Sequence, residues 1–389
     1  MSKEKNGDIW AICPECKTRI KKDRLPAHMK RVHSKKIDDA KIKPLDASHK
    51  TQGNKTSRFL SKRTIGVLTI IVVVIVAAIS LYFILNNTQN NQKPHLISIN
   101  GKGNFASIQE AINAASSNDT IFVNNGTYFE NIKITKSIKL IGEDKNTTII
   151  SGNGSGDVIY VLADNVKING FTIKNGGSTL HGEVGAGIDI RSNYSTISNC
   201  NISSNKNYGV YLGGTIGGNI KDAAIQFNTF FKNAYGIYTT NNVKTNNISS
   251  NIFTHNTEYG MFLTSQSDDN LVSDNLFTEN NYAIRIKSSE QNTVIKNLIT
   301  NNLKGLYFCC GAINNIAYNN IFINNTNWNA QDDPGNAWDN GTVGNYWSNY
   351  TGIDANGDGI GDTPYLINGG KEDRFPPCNL NSSPRKNIS

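Results

Sequence analysis

The sequence predicts a mainly β protein: a right-handed parallel β-helix (solenoid) with a short N-terminal capping helix, tied by one transmembrane helix to a small zinc finger. Three observations carry this reading. Asparagines recur about every 23 residues through the second half of the chain. One apolar run separates a basic tail from the rest. Two Cys and two His stand at metal-ligand spacing near the N-terminus.

Composition and charge set the frame. Hydrophobic residues make up 38% and Gly numbers 34, which disfavours a helical bundle and suits short strands joined by Asn- and Gly-rich turns. Residues 1–63 hold 18 Lys and Arg against 7 Asp and Glu, a net +11; the whole chain is +8, so the remainder carries −3. The basic character belongs to the tail, and nucleic-acid binding cannot be read from the overall charge.

Residues 1–34 read as a C2H2-like zinc finger. Cys13-Pro14-Glu15-Cys16 is followed by His28 and His33, a C-x2-C-x11-H-x4-H pattern. A knuckle plus one helical turn supplies the four N/S ligands of tetrahedral Zn²⁺. Ile20 and Leu25 fill the places where a finger's small core needs apolar side chains. The segment resembles a C2H2 finger, with one residue fewer than usual between Cys16 and His28 and with Pro26 near the helix start. A single finger reads about three base pairs. Its expected partner is therefore a cytoplasmic protein, anionic lipid or nucleic acid, without a choice among them. Residues 35–63 form a basic flexible linker.

Thr64 to Leu85 contains no charge, Pro or amide side chain. At 1.5 Å per residue this segment spans roughly 33 Å, enough for a bilayer core of about 30 Å. Arg58, Lys62 and Arg63 precede it, so the N-terminus is expected in the cytoplasm and the C-terminus outside. No A-x-A site follows, which argues for an anchor over a cleaved signal peptide. Residues 86–97 are a polar linker.

Residues 98–326 read as the β-helix. Ser107-x-x-Glu110 is a capping box, and Ile108, Ala111, Ile112 and Ala115 make one apolar stripe, the expected capping helix. Asn201, Asn228, Asn251, Asn275, Asn297 and Asn320 then recur at intervals of 27, 23, 24, 22 and 23. After most of them a small residue opens an apolar strand: Gly209, Gly236, Gly260, Ala283, Gly305. This period is that of a solenoid coil. Asn at equivalent turns is expected to stack in hydrogen-bonded ladders and to tolerate left-handed backbone.

The segment SIQEAINAASSNDTIFVNNGTYFENIKITKSIKLIGEDKNTTIISG, followed by NVKINGFTIKNGG, resembles the NosD-type family of carbohydrate-binding and sugar-hydrolase β-helices. The ending NAWDNGTVGNYWSNYTGIDANGDGIGDTPYLI resembles the C-terminal cap of archaeal surface β-helix proteins. The resemblance implies the fold. It leaves the activity open among sugar-processing enzymes, binding proteins and an accessory protein for copper-enzyme maturation.

Residues 327–378 are the expected cap and 379–389 a disordered tail. In the cap, Asp354, Asn356, Asp358, Ile360 and Asp362 follow the alternating donor order of a calcium loop, with Ile360 giving a carbonyl. Its twelfth position is Tyr365, so Asp373 is the candidate replacement for the missing bidentate Glu. Cys309 or Cys310 is a candidate disulfide partner of Cys378. For catalysis, no column of acids is evident on adjacent coils. His181, Glu183 and Asp189, read as an insertion in one long coil, are the weak catalytic candidates. The expectation is a single-pass cell-surface protein binding carbohydrate or a surface partner through its β-helix. A polysaccharide-acting hydrolase or lyase is the alternative, with a copper-maturation role beside it.

Overall fold

The structure, a computed structural model, describes residues 10–12, 19–21, 96–177, 184–213 and 219–379. The chain divides into two compact units, Met1–Thr88 and Gln89–Ser389. In the first, Trp10–Ile12 pairs antiparallel with Arg19–Lys21. Cys13, Cys16, His28 and His33 lie outside the described residues, as do His181, Glu183 and the predicted span 64–85. Among the described residues, no helix is long and apolar enough to cross a membrane.

The second unit is the predicted right-handed parallel β-helix, of about nine turns. Each turn lays one strand into each of three sheets, of ten, ten and nine strands. Alternation along each strand sends one side chain in and the next out. Parallel register then stacks like on like. Ile197, Ile225, Ile248, Val272, Val294 and Ala317 form one inward column. In the second sheet Phe230, Phe253 and Phe277 stack at 4.7 and 4.5 Å with rings nearly parallel. The following coil's backbone and these rings together explain the small residue: a Cβ at Gly236 would collide with the Gly260 carbonyl oxygen, and one at Gly260 would come within 2.7 Å of the Ala283 oxygen. A Cβ at Gly236 would come within 2.8 Å of Phe253, and one at Gly260 within 2.9 Å of Phe277. At Ala283 the next coil offers Ile299 instead of Phe, and a methyl is accommodated.

Asparagine governs all three corners. Asn228, Asn251, Asn275, Asn297, Asn320 and Asn345 precede the second-sheet strands, and each accepts the backbone N–H of its equivalent one coil earlier. Asn205, Asn233, Asn256, Asn280, Asn302 and Asn325 do the same before the third sheet. Asn246, Asn270, Asn292, Asn315 and Asn336 do so before the first. Two details differ from expectation. The member before Asn228 is Cys200, buried in the corner, whereas Asn201 is a half-buried strand residue. The left-handed residue is also not the ladder Asn but its predecessor, including Lys232, Ser250, His255, Asp274, Glu279 and Lys296. The ladder Asn must aim its amide along the solenoid axis, so the residue before it makes the corner.

Both ends are closed. The helix Ile108–Ala114 covers the first coil, with Ser107 accepting the Glu110 N–H at 3.0 Å. Glu110 reaches back to the Ala106 N–H, one residue before the N-cap, completing a shifted capping box. Glu130 accepts the Ile108 and Gln109 N–H groups, and Lys136 donates to the carbonyls of Ile112, Asn113 and Ala115. Anion at the N-terminus and cation at the C-terminus match the helix dipole and dock the cap. At the far end the solenoid continues through Trp328–Asp332 and Tyr346–Trp347, within the segment expected as cap. The ladders stop on other side chains: Asn345 on Asp373, Asn336 on Asp332 and Asn325 on Asn329. Asp373 is fully buried on Asn345 and Trp347, which corrects its expected place in the calcium loop.

Replacing Asn275 with Ala would strand the Asn251 N–H and the Ile248 carbonyl. The expected cost is about 2–5 kcal/mol at one or more orphaned buried groups, read as a lowered urea midpoint. Asn201→Ala, outside the ladder, should change that midpoint little.

Candidate functional site

The third sheet differs from the other two in strand length. Tyr208–Gly213, Tyr235–Thr240, Tyr259–Thr264, Tyr282–Lys287 and Lys304–Cys309 have six residues, where most strands of the other sheets have three. Longer strands give an outer wall with two well-formed columns. Register places Tyr208, Tyr235, Tyr259, Tyr282, Lys304 and Trp328 in one column. Tyr160, Asp189, Tyr211, Tyr238, Phe262, Arg285 and Tyr307 form the other.

The rings touch along and across the columns. Tyr235 stacks on Tyr259 at 5.3 Å, Tyr259 on Tyr282 at 4.8 Å, and Tyr211 on Tyr238 at 5.7 Å. Trp328 meets Tyr282 and Tyr307 edge-on at 5.9 Å each. Lys304 Nζ donates to the Tyr282 hydroxyl at 2.7 Å. Burial pushes the Tyr235 and Tyr307 phenols up to about 12, so both hydroxyls remain hydrogen-bond donors at neutral pH. The wall ends in a groove of about 350 Å³ lined by Asn324, Asn327, Trp328, Asn349, Tyr365 and Asn368, among others.

Asp189 lies at the opposite end, six strand steps or about 29 Å from Trp328 at the usual strand spacing. It is not on an insertion, as the sequence suggested. It sits in Ala186–Ile190, in register with Tyr160 and Tyr211. Only its companions His181 and Glu183 belong to the stretch outside the described residues. Arg191 clamps Asp189 through two bonds, Nε to Oδ1 at 2.7 Å and Nη2 to Oδ2 at 3.0 Å, and lies over the Tyr211 ring. Asp157, on the preceding coil, comes within hydrogen-bonding reach of Asp189 and accepts the Ala186 N–H. An acidic pair on adjacent coils therefore exists, against expectation. Asp157 lies before the strand Ile159–Val161, so spacing along the chain does not bring it level with Asp189. Burial pushes Asp189 up to about 7; Arg191 opposes the shift and Asp157 adds to it.

The predicted calcium loop is folded on itself. Asp354 Oδ1 accepts the N–H groups of Gly357 and Asp358, and its Oδ2 that of Gly359, while Asp362 accepts the Ala355 N–H. Among the described residues, no three His, Cys, Asp or Glu side chains converge on one metal-sized site. Cys200, Cys309, Cys310 and Cys378 are all free thiols, so the suggested bridge to Cys378 is not formed. Cys309 and Cys310 instead face Arg285.

Residues 112–352 match the model of a family described as periplasmic copper-binding protein (NosD). The chain belongs to the NosD family. The described residues offer copper few of its usual donors: Met261 is buried in the core and His255 is paired with Glu279. The soft donors brought together are Cys309 and Cys310. No curated protein matches the chain. Among solved structures, the chain is similar to XylC in complex with xylose (12% identity, TM-score 0.51, covering 61% of this chain and 65% of that one). It is also similar to the A-module of the Azotobacter vinelandii mannuronan C-5 epimerase AlgE4 (14%, TM-score 0.45, 59% and 74%). A third is the tailspike protein gp49 of Acinetobacter baumannii bacteriophage Fri1, a capsular polysaccharide depolymerase (12%, TM-score 0.44, 56% and 48%). At these identities the likeness is one of fold.

The raised Asp189 has a consequence for stability. A carboxyl whose folded value exceeds its unfolded one stabilises the fold while protonated, and that contribution is lost as pH rises through the folded value. Between pH 4 and about 7 the contribution of Asp189 should therefore decline. Asp189→Asn should flatten the pH dependence of the denaturation midpoint in that window, by about 1 kcal/mol or more. Equal slopes for both proteins would contradict the assignment.

Proposed function

We propose that this NosD-family chain is a single-pass cell-surface protein whose outer aromatic wall binds a carbohydrate chain. The observation that carries the reading is the column Tyr208, Tyr235, Tyr259, Tyr282 and Trp328, which leads into a groove rimmed by asparagine amides. Planar rings meet the apolar faces of sugars, and amides and hydroxyls meet their OH groups. A concave site with an aromatic floor and a few placed polar groups is the general form of a small-ligand pocket.

The polysaccharide-acting alternative is favoured by one observation, the Asp157–Asp189 pair beneath Tyr160 and Tyr211. A shared-proton carboxyl pair is a common acid–base device. Against it, Asp189 is fully buried and both its oxygens are taken by Arg191. A carboxyl so enclosed has no free oxygen to present to a substrate, and binding is the stronger reading.

Anchoring rests on the apolar run 64–85 and the basic residues before it. The zinc finger, with Cys13, Cys16, His28 and His33, is supported by the antiparallel pair Trp10–Ile12 and Arg19–Lys21, whose connection carries both cysteines. The calcium assignment to Asp354, Asn356, Asp358, Ile360 and Asp362 rests on donor order alone. Ion binding there would have to displace the N–H groups that Asp354 now accepts.

Three measurements test these proposals. Binding of the full-length protein to an array of glycans and cell-wall polymers should fall about three- to tenfold in Trp328→Ala and in Tyr282→Ala, the loss of one stacked ring being worth about 0.5–1.5 kcal/mol. Product formation on the same polymers, abolished by Asp189→Asn, would instead establish the enzymatic alternative. Neither binding nor turnover on a broad panel would exclude both. Elemental analysis should find one zinc per chain, lost in Cys13→Ser, and calcium lost in Asp354→Asn; absent zinc would reduce the N-terminus to a basic tail.

A further inference from the structure

We infer that the glycan bound by the outer wall is an acidic one, its carboxylate or sulfate groups held by Arg285, Lys287 and Lys304 beside Trp328. This rests on the carbohydrate reading above and narrows it to one kind of polymer.

The parallel register marks the place. Phe262, Thr264 and Tyr282 of one coil give way to Arg285, Lys287 and Lys304 in the next, so three neutral outer positions become cationic within two successive strands. Arg285 and Lys287 alternate with the buried Ile284 and Ile286 of the strand Tyr282–Lys287. Both therefore face outward, about 7 Å apart at the usual strand rise. Lys304 stands one strand further on, between Tyr282 and Trp328 in register. The cluster thus joins the tyrosine column to the groove.

Among the described residues, none of the three makes an ion pair with a carboxylate. Arg285 Nη1 donates to the Tyr259 hydroxyl at 2.9 Å, and Lys304 Nζ to that of Tyr282 at 2.7 Å. Each phenol oxygen already accepts from a cation, so its own O–H is left as a donor. Two acids border the cluster. Asp333 is engaged by the Tyr307 hydroxyl and the Cys310 N–H. Glu258 is exposed just before Tyr259, two strands from Lys304. The cluster itself offers positive charge and hydrogen-bond donors.

A neutral polymer laid over this stretch would take three cations out of water with nothing to offset the lost hydration, and removing ions from water is costly. A carboxylate or sulfate offsets it with charge-assisted bonds, and the guanidinium fork can meet two oxygens of one anion at once.

The full-length protein is titrated with probes that share a backbone and differ in charge: polygalacturonate against its full methyl ester, and dextran sulfate against dextran. The charged member of at least one pair should bind at least about tenfold more tightly, and the pair that shows this tells carboxylate from sulfate. Arg285→Gln and Lys304→Gln should each weaken that binding about tenfold, and Arg285→Lys should restore part of it. Lys133→Gln makes the same charge change six strand steps away on the same wall, about 29 Å, and should alter it little. Thermal melting of each variant confirms folding. Equal affinity for charged and uncharged members, lost in Trp328→Ala, would overturn the acidic ligand and leave the carbohydrate reading standing. No binding of any probe would contradict both. Equal binding of a DNA oligomer, or a loss in Lys133→Gln as large as in Arg285→Gln, would reduce the cluster to unselective charge attraction and overturn the site.

Discussion

The buried asparagine amide is the interaction on which the rest of this structure depends. A solenoid corner exposes backbone donors and acceptors that no sheet ladder can reach, and left unpaired each would cost about 1–3 kcal/mol. A ladder Asn meets that need from both directions. Asn275 accepts the Asn251 N–H from the coil before and donates to Asn297 in the coil after, and also to the Ile248 carbonyl. The same geometry holds the side chains buried, which is why uncharged amides such as Asn275, Asn292, Asn297, Asn302 and Asn320 can line the interior at 0% exposure. Before most ladder asparagines stands a left-handed non-glycine residue, whose backbone penalty of roughly 1–2 kcal/mol is offset by these bonds.

That constraint sets the outer surface too. Because the corners fix coil length and register, any residue type repeated at one coil position becomes a column. Inside, this gives the phenylalanine stack, which with the backbone of the following coil leaves room only for glycine beside it at Gly236 and Gly260. Outside, it turns a tyrosine opening four successive third-sheet strands into a continuous ring surface. Where the repeat lapses, at Lys304 and Arg285, a cation sits among the rings, over Tyr282 in one case and against Phe262 and Tyr307 in the other. The wall is thus aromatic through most of its length, with charge at Lys133, Asp189 and Arg191 toward one end and at Arg285, Lys287 and Lys304 nearer the other.

The ends show how such an array stops. Each ladder needs a final acceptor that does not itself require a next coil. A carboxylate serves, since it accepts without donating. Asp373 closes one ladder and takes the Trp347 indole N–H; Asp332 closes another and takes that of Trp338. At the start, Glu130 and Lys136 fasten a helix across the first coil.

The period, the sheet-forming strands, the capping helix and the stacked Asn were legible in the sequence, because a repeat of residue type is a repeat of environment. So was the glycine position, although its cause, the close approach of the following coil's backbone and rings, was not. Sequence placed Asn201 in the ladder where Cys200 stands, since a one-residue offset is invisible until register is fixed. It gave Asp189 to a loop because the extra residues before it obscured where the strand began. The meeting of Asp157 with Asp189, and of Cys309, Cys310 and Arg285, belongs to the tertiary structure alone. Those contacts join residues about a coil apart, and whether they meet depends on the hand of one backbone turn and the pairing of parallel strands, which linear spacing does not encode.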